Sequence, residues 1–190
     1  AAARWTNCMR SSKIDAAIRP LQEAEIALPL FAHFSRRQKV TLCLRRIDGD
    51  WRETPAPSVE DWNESDYTFL IQCLRNTVHA GGAVFGAFLN GQLKGFASVE
   101  GRPFGSGGQY RELTSLHVSE ELRHAGLGRK LFLYVKVWAK AQGAEKLYIS
   151  SHPAVESQAF YAAMGCTDAP ETDAERARRE PFDRPLECHV

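Results

Sequence analysis

Residues 123–130 read Arg-His-Ala-Gly-Leu-Gly-Arg-Lys, and the chemistry such a stretch can do is to hold an anion. It stands between a strand-like run, Tyr110 to Val118, and an amphipathic helix in which Leu127, Leu131, Val135 and Trp138 recur every three or four residues. The first turn of a helix leaves backbone N–H groups without intrahelical acceptors, and its dipole favours negative charge. Gly126 and Gly128 let a ligand approach the backbone, while Arg123, Arg129 and Lys130 add positive charge. A phosphate or pyrophosphate fits that description. Two other readings stand beside it: glycines that only ease packing, and a dinucleotide-binding loop. The dinucleotide fingerprint wants a third Gly or Ala where Leu131 stands and an acid after the next strand, where Ser150 and Ser151 stand.

The elements that must position this loop follow from periodicity and turn chemistry. Ile14 to Ile18 reads as a strand, and Pro20 opens a helix carrying Ile26, Leu30, Phe31 and Phe34 on one stripe. Val40 to Leu44, the turn Asp48-Gly49 and Trp51 to Glu53 form a small hairpin. Pro55-Ala56-Pro57 predicts an extended link, with Ser58 as N-cap of a helix reaching residue 79. Ala83 to Leu89 and Gln92 to Gly101 flank Asn90-Gly91, the strongest hairpin signal in the chain. Tyr110 to Val118 completes a meander, the helix from Leu127 stops at Gly143, and Lys146 to Ser150 is a buried strand. A short helix over 155–164 ends at Gly165, a charged helix is predicted over 171–179, and a last strand over 184–189 can pair with either end of the sheet. The order predicts an α/β fold on a mixed sheet.

Composition narrows the classes. With 190 residues, 24 Lys+Arg against 23 Asp+Glu and a net charge of +1, there is no global field to draw in nucleic acid or an anionic membrane. No run approaches the ~18 apolar residues of a membrane span. Residues 1–12 are expected to be a disordered leader, without an apolar signal core, ahead of one domain over 13–190. The five cysteines are scattered, form no C-x-x-C pair and show no zinc spacing to the histidines, which points to reduced thiols in a cytoplasm and to no metal.

The run Leu116-His117-Val118 through Arg123-His124-Ala125-Gly126-Leu127-Gly128 resembles the acetyl-CoA-binding motif of the GNAT N-acetyltransferases: Arg or Gln, two residues, Gly, one residue, Gly or Ala. Phe160-Tyr161-Ala162-Ala163-Met164-Gly165 resembles the second signature of that family, and the two occur in the family's order. The resemblance runs over about residues 14 to 190 and is sharp in 112–166. It implies a single-domain, largely antiparallel mixed sheet with helices on both faces and a splayed strand pair holding the cofactor. It implies acetyl-CoA as co-substrate, its pantetheine arm along Leu116, His117 and Val118, and its pyrophosphate on the segment His124, Ala125, Gly126, Leu127, Gly128 and Arg129, with Lys130 and Arg123 beside it. The family often has Asn where Ala154 stands and Phe where Cys166 stands. Ser150, Ser151 and Ser157 are the residues available to replace that Asn.

Acetyl transfer to an amine needs a proton acceptor, an oxyanion donor and an acid for the departing thiolate. The resemblance places Glu112 where histone-acetylating members carry a general base; the alternative is a strand-end glutamate paired with Arg111 or another cation. His117 is a second base candidate, set against a hydrogen-bonded packing histidine. Tyr161 matches the family's acid, set against a packing tyrosine beside Phe160. The backbone N–H of Val118 is the expected oxyanion donor, and Cys166 is not expected to act as a nucleophile. On the acceptor side, Trp51, Trp62, Glu64, Asp66 and Tyr67 offer aromatic faces and carboxylates suited to a cationic amine, with Phe31, His33, Phe34 and Arg36 opposite; the alternative is a core Trp62 and a solvated acidic helix face. The function expected is N-acetylation of a small-molecule amine by direct attack, with an aminoglycoside-type antibiotic among the candidates. A protein or peptide acceptor, and a CoA-binding regulatory protein without turnover, stand as alternatives. The chain is expected as a monomer or a homodimer through its last strand.

Overall fold

Alternation of apolar residues builds the sheet. In β4 (Ala83–Leu89) Ala83, Phe85 and Ala87 face one side while Val84 faces the other. In β5 (Gln92–Val99) Ala97 and Val99 share the first side and Phe96 takes the second. Asn90 and Gly91 join them with φ of 52° and 78°, the left-handed pair that a tight hairpin turn requires. The computed structural model describes residues 15–172, 177–178 and 180–190. Among them the principal sheet has seven strands in the order β1 (Ala17–Pro20), β4, β5, β6 (Tyr110–Val118), β7 (Lys146–Ser151), β9 (Arg184–His189) and β8 (Thr167–Asp168). Neighbours are antiparallel except β6 and β7, which are parallel and joined through a crossover helix.

That helix, α2 (Leu127–Ala141), buries Leu127, Leu131, Phe132, Val135 and Ala139 against the first side of the sheet. Each large side chain removed from water there contributes about 1.5–3 kcal/mol. On the other side α1 (Glu64–His79) packs Leu70 and Leu74 with Ile26, Phe31, Phe34 and Phe96. The short α3 (Val155–Ala163) sets the rings of Phe160 and Tyr161 each 6.2 Å from Phe132 of α2. No described helix is long and apolar enough to cross a membrane.

The functional consequence lies between β6 and β7. Tyr110, Arg111 and Glu112 pair with Lys146, Leu147 and Tyr148, and the register ends there. β6 stays paired with β5 through Val118, and β7 stays paired with β9 through Ser151. Each strand follows its outer neighbour, so the two part from each other beyond Glu112 and Tyr148.

Several local expectations are corrected. The helix expected from Pro20 is instead two 3-10 turns, Glu23–Glu25 and Leu28–Phe31; Pro29, within the second, has no N–H to continue a helix and disfavours α geometry before it. The small hairpin is long: β2 (Arg37–Ile47) and β3 (Asp50–Asp61) form a separate two-stranded sheet. Pro55 and Pro57 sit inside β3 because only one of its edges is paired, so a missing donor costs no ladder bond on the free edge. The N-cap of α1 is Asn63, not Ser58; its Oδ1 accepts from the N–H of Ser65 at 2.8 Å while Asp66 Oδ2 accepts from the N–H of Asn63 at 2.8 Å. The two-residue β8 was not anticipated, and β9 inserts between β7 and β8. The leader expected over 1–12 lies outside the described residues, as do residues 173–176 and 179 of the helix expected over 171–179.

Candidate active site

The loop before α2 is shaped by two left-handed residues, His124 (φ 62°) and Gly126 (φ 85°), the latter in the N-cap position. The first intrahelical bond runs from Lys130 N to Gly126 O at 3.2 Å, so the N–H groups of Leu127, Gly128 and Arg129 have no acceptor within the helix. A Cβ on Gly128 would stand 3.3 Å from the Phe160 ring of α3, so the two helices approach closely at the loop. Together they bound a cleft of about 760 Å³ lined by Leu116, His117, Val118, Arg123, His124, Gly126, Gly128, Arg129 and Ser157 among others. Along β6, Ser119 N–H donates to Lys94 O on the β5 side at 2.9 Å. Alternation therefore turns the N–H groups of Val118 and Leu116 toward the gap beside β7.

A second cavity of about 810 Å³ occupies the gap itself. Its walls are the ends of β6 and β7, the β2–β3 hairpin and the turn 180–183. Leu116, His117, Ser157 and Tyr161, with Arg36 and Gln38, line both cavities, so the two meet at a seam where Tyr161 stands. Burial first, then Cys166 and Asp183, hold the Tyr161 phenol well above its ordinary value, so it keeps its proton at neutral pH.

Charge in the second cavity is arranged in pairs. Glu60 of β3 accepts from Arg36 Nη2 at 2.8 Å and faces His152 Nε2 at 3.3 Å; His152 first, with Arg36, holds its carboxyl below the ordinary value. Arg36 Nε donates to His117 Nδ1 at 3.2 Å, and its guanidinium lies 5.3 Å from the Trp62 ring centre. Burial, and then that guanidinium, push His117 down to about 3, so the imidazole is neutral. Arg36 Nη1 is buried with no acceptor among the described residues. Asp183 accepts from Ser150 Oγ at 3.3 Å; burial first, then Glu180, push it up to about 6.

Several sequence candidates are not brought to either cavity. Glu112 is buried on the paired part of β6, one residue before the cavity wall begins at Leu113. Leu127 is a core residue against the sheet, and Ala125 and Lys130 line neither cavity. Ser151 is buried, its Oγ accepting from Gln158 Nε2 at 2.9 Å. Phe34 is in the core 5.3 Å from Phe96, and Asp66 is used in the cap of α1. Trp62 lines the second cavity, edge-on to His117 with centroids 5.0 Å apart. Sequence reasoning missed Glu60, His152 and Asp183, which come from three separate segments; none carried a local signal, because the contacts that give them meaning are long-range. No group of three or more His, Cys, Asp or Glu among the described residues is placed to hold a metal ion.

Comparison with solved structures gives the same architecture. A nourseothricin acetyltransferase superposes with a TM-score of 0.64 at 16% identity, covering 92% of this chain and 96% of that one. A Bacillus anthracis str. Ames protein designated a streptothricin acetyltransferase, in complex with acetyl coenzyme A, gives 0.69 at 15% identity, covering 93% and 99%. The PaiA N-acetyltransferase of Thermoplasma acidophilum, in complex with coenzyme A, gives 0.57 at 15%, covering 93% and 100%. At such identities the likeness is one of fold. No curated protein matches the chain by sequence. The sequence model of the acetyltransferase (GNAT) family does match, over residues 45–166. That span, well over half the chain, contains the strand, the glycine loop, the splay and Tyr161, and with it the chain belongs to the GNAT acetyltransferase family.

Proposed function

We propose that the protein transfers the acetyl group of acetyl-CoA to the primary amine of a small cationic molecule, by direct attack with both substrates bound. The observation that carries this reading is the seam: an anion-holding cleft and a carboxylate-bearing cavity meet at Leu116, His117, Ser157 and Tyr161. The cleft suits the pyrophosphate of the cofactor, with the N–H groups of Gly128 and Arg129, which have no acceptor within the helix, as donors and Arg123, His124 and Arg129 around them. Val118 and Leu116 offer N–H groups to the pantetheine arm and to the developing oxyanion. Acetyl-CoA supplies an activated thioester; the chain supplies orientation and protons. Tyr161, protonated and at the seam, gives its proton to the leaving sulfur.

On the acceptor side, Trp62, Glu60 and Asp183 suit an ammonium group. Walls formed by the hairpin, the splayed strands and the turn 180–183 support a small acceptor over an extended peptide. The fold is shared with enzymes named for nourseothricin and streptothricin, which supports the same choice. The free thiols Cys43, Cys73, Cys166 and Cys188 fit work in a reducing cytoplasm.

The test is release of CoA thiol from acetyl-CoA across polyamines, aminoglycosides, streptothricin-type antibiotics, amino acids and short peptides. Release dependent on a small cationic amine is expected. Release with peptides alone, or acetyl-CoA binding with no release in any well, would overturn the acceptor class or the turnover respectively.

A further inference from the structure

An amine enters this cavity protonated and must lose a proton before it can attack. The carboxylates that line the cavity are Glu60, Glu180 and Asp183 among the described residues. Glu60 is spoken for: Arg36 at 2.8 Å and His152 at 3.3 Å hold it ionised, and protonating it would leave the Arg36 guanidinium, whose side chain is 10% exposed, without its counter-charge. Neutral His117 has its Nδ1 engaged by Arg36, and His152 Nδ1 accepts from the N–H of Ala154 at 3.1 Å. Glu112 lies behind the wall. Glu180 is exposed to solvent and lies against Asp183, whose carboxyl it raises.

Asp183 differs from all of these. It projects into the same cavity from the residue before β9, accepts from Ser150 Oγ at 3.3 Å, and lies close enough to Tyr161 to bear on its phenol. We propose that Asp183 is the catalytic carboxylate that receives the acceptor's ammonium group and takes its proton. The inference rests on the acetyl-transfer reading above. In the step, one N–H proton passes from the ammonium to the Asp183 carboxylate, and the freed nitrogen lone pair attacks the thioester carbonyl carbon. The C–S bond then breaks, its electron pair leaves on sulfur, and the Tyr161 phenol protonates that sulfur. The second proton shed by the new amide nitrogen restores Tyr161, and Asp183 returns its own to water. The sum is amide, CoA thiol and one released proton.

The groups that face Asp183 set where it titrates. Glu180 on its own turn raises it, as does burial; His152 after β7 and the Ser150 hydroxyl lower it. Tyr161 of α3 is neutral, and Arg45 of β2 lines the same cavity with its guanidinium 4.8 Å from the Phe182 ring centre. A carboxylate held up to about 6 is basic enough to take a proton and still ionised at neutral pH.

The experiment is the pH profile of kcat/KM with the best amine of the panel, for wild type, Asp183→Asn and Ser150→Ala, with acetyl-CoA affinity measured by calorimetry on each. Wild type is expected to lose activity about tenfold per pH unit below pH 6. Asp183→Asn is expected to lower kcat/KM about 100-fold and to remove that limb, with acetyl-CoA affinity unchanged. Ser150→Ala, which deprives the carboxylate of a donor, should move the limb to higher pH. An Asp183→Asn protein that binds acetyl-CoA normally and keeps the wild-type rate and limb overturns the assignment, as does a limb removed by Glu112→Gln instead. A wild type that binds acetyl-CoA and acetylates nothing overturns the underlying reading, a distinct result.

Discussion

The two ends of the channel are built by opposite means. On the proposed reading the cofactor end centres on one continuous stretch, from the close of β6 through the first turn of α2, with α3 and the start of β2 closing its sides, and its backbone N–H groups are fixed by helix geometry. The acceptor end is assembled from β3, β7, α3 and the turn before β9, and its donors and acceptors are side chains held by one another. The first leans on backbone groups and glycine geometry, with Arg123 and Arg129 adding positive charge. The second depends on every member of a small network, so it can be retuned by single substitutions.

The largest expected effect is at the seam, where both ends meet. Tyr161→Phe should lower kcat about 100-fold with acetyl-CoA affinity unchanged, measured by steady-state kinetics and calorimetry. A change in affinity without a change in kcat would assign Tyr161 to the cofactor end alone. Next, Gly126→Val puts a β-branched residue at φ 85° and should raise the KM of acetyl-CoA about tenfold while leaving the acceptor KM within twofold. Equal damage to both would erase the division between the ends. Glu60→Gln should raise the acceptor KM about fivefold and lower stability by about 1–2 kcal/mol in urea titration, because the buried Arg36 loses its partner.

Stability against pH tests the acceptor end without catalysis. Burial raises Asp183 from 3.8 to about 6, so the folded state favours its neutral form. Its contribution is fully present below pH 3.8 and is lost as pH rises through 6. Asp183→Asn should therefore melt at a higher temperature than wild type at pH 8, and the difference should vanish near pH 3.5 in scanning calorimetry. The smallest effect belongs to a residue outside the channel: Asp66→Ala should cost about 0.5–1 kcal/mol through the lost cap and leave the acceptor KM unchanged.

The contrast also explains what could be read in advance. β4, β5, β6, α2 and α3 were legible because each carries its own periodicity and its own stop, Asn90-Gly91, Gly143 or Gly165. The glycine loop was legible because its glycines, its cations and the helix start that frees its N–H groups fall within eight residues. By residue type Trp62 and Asp66, with Phe34 opposite them, suit an ammonium. Burial took Phe34 into the core and helix capping took Asp66, and only Trp62 reached the cavity. The first demand comes from Phe96, far along the chain, and the second from Asn63 three residues away, and residue type reveals neither. Glu60 and Asp183 were invisible for the converse reason. The first lies on a strand whose prolines argued against a strand, and the second in a turn whose meaning comes from Ser150, 33 residues earlier.

The β2–β3 hairpin is a sheet of its own, tied to the body by Leu44 N–H donating to Pro153 O at 2.8 Å, by the bridge between Cys43 and Ala154, by Glu60 facing His152 and by Arg45 and Trp51 against Phe182 and Arg184. Val40 and Cys43 are buried there and Glu60 holds Arg36, while many of the remaining side chains of the hairpin are exposed. On the acetyl-transfer reading, exposed positions of the cavity wall such as Pro57 and Ser58 can therefore be exchanged at small cost to folding, and new acceptors can be acquired there while the seven-stranded sheet and the glycine loop keep their sequence.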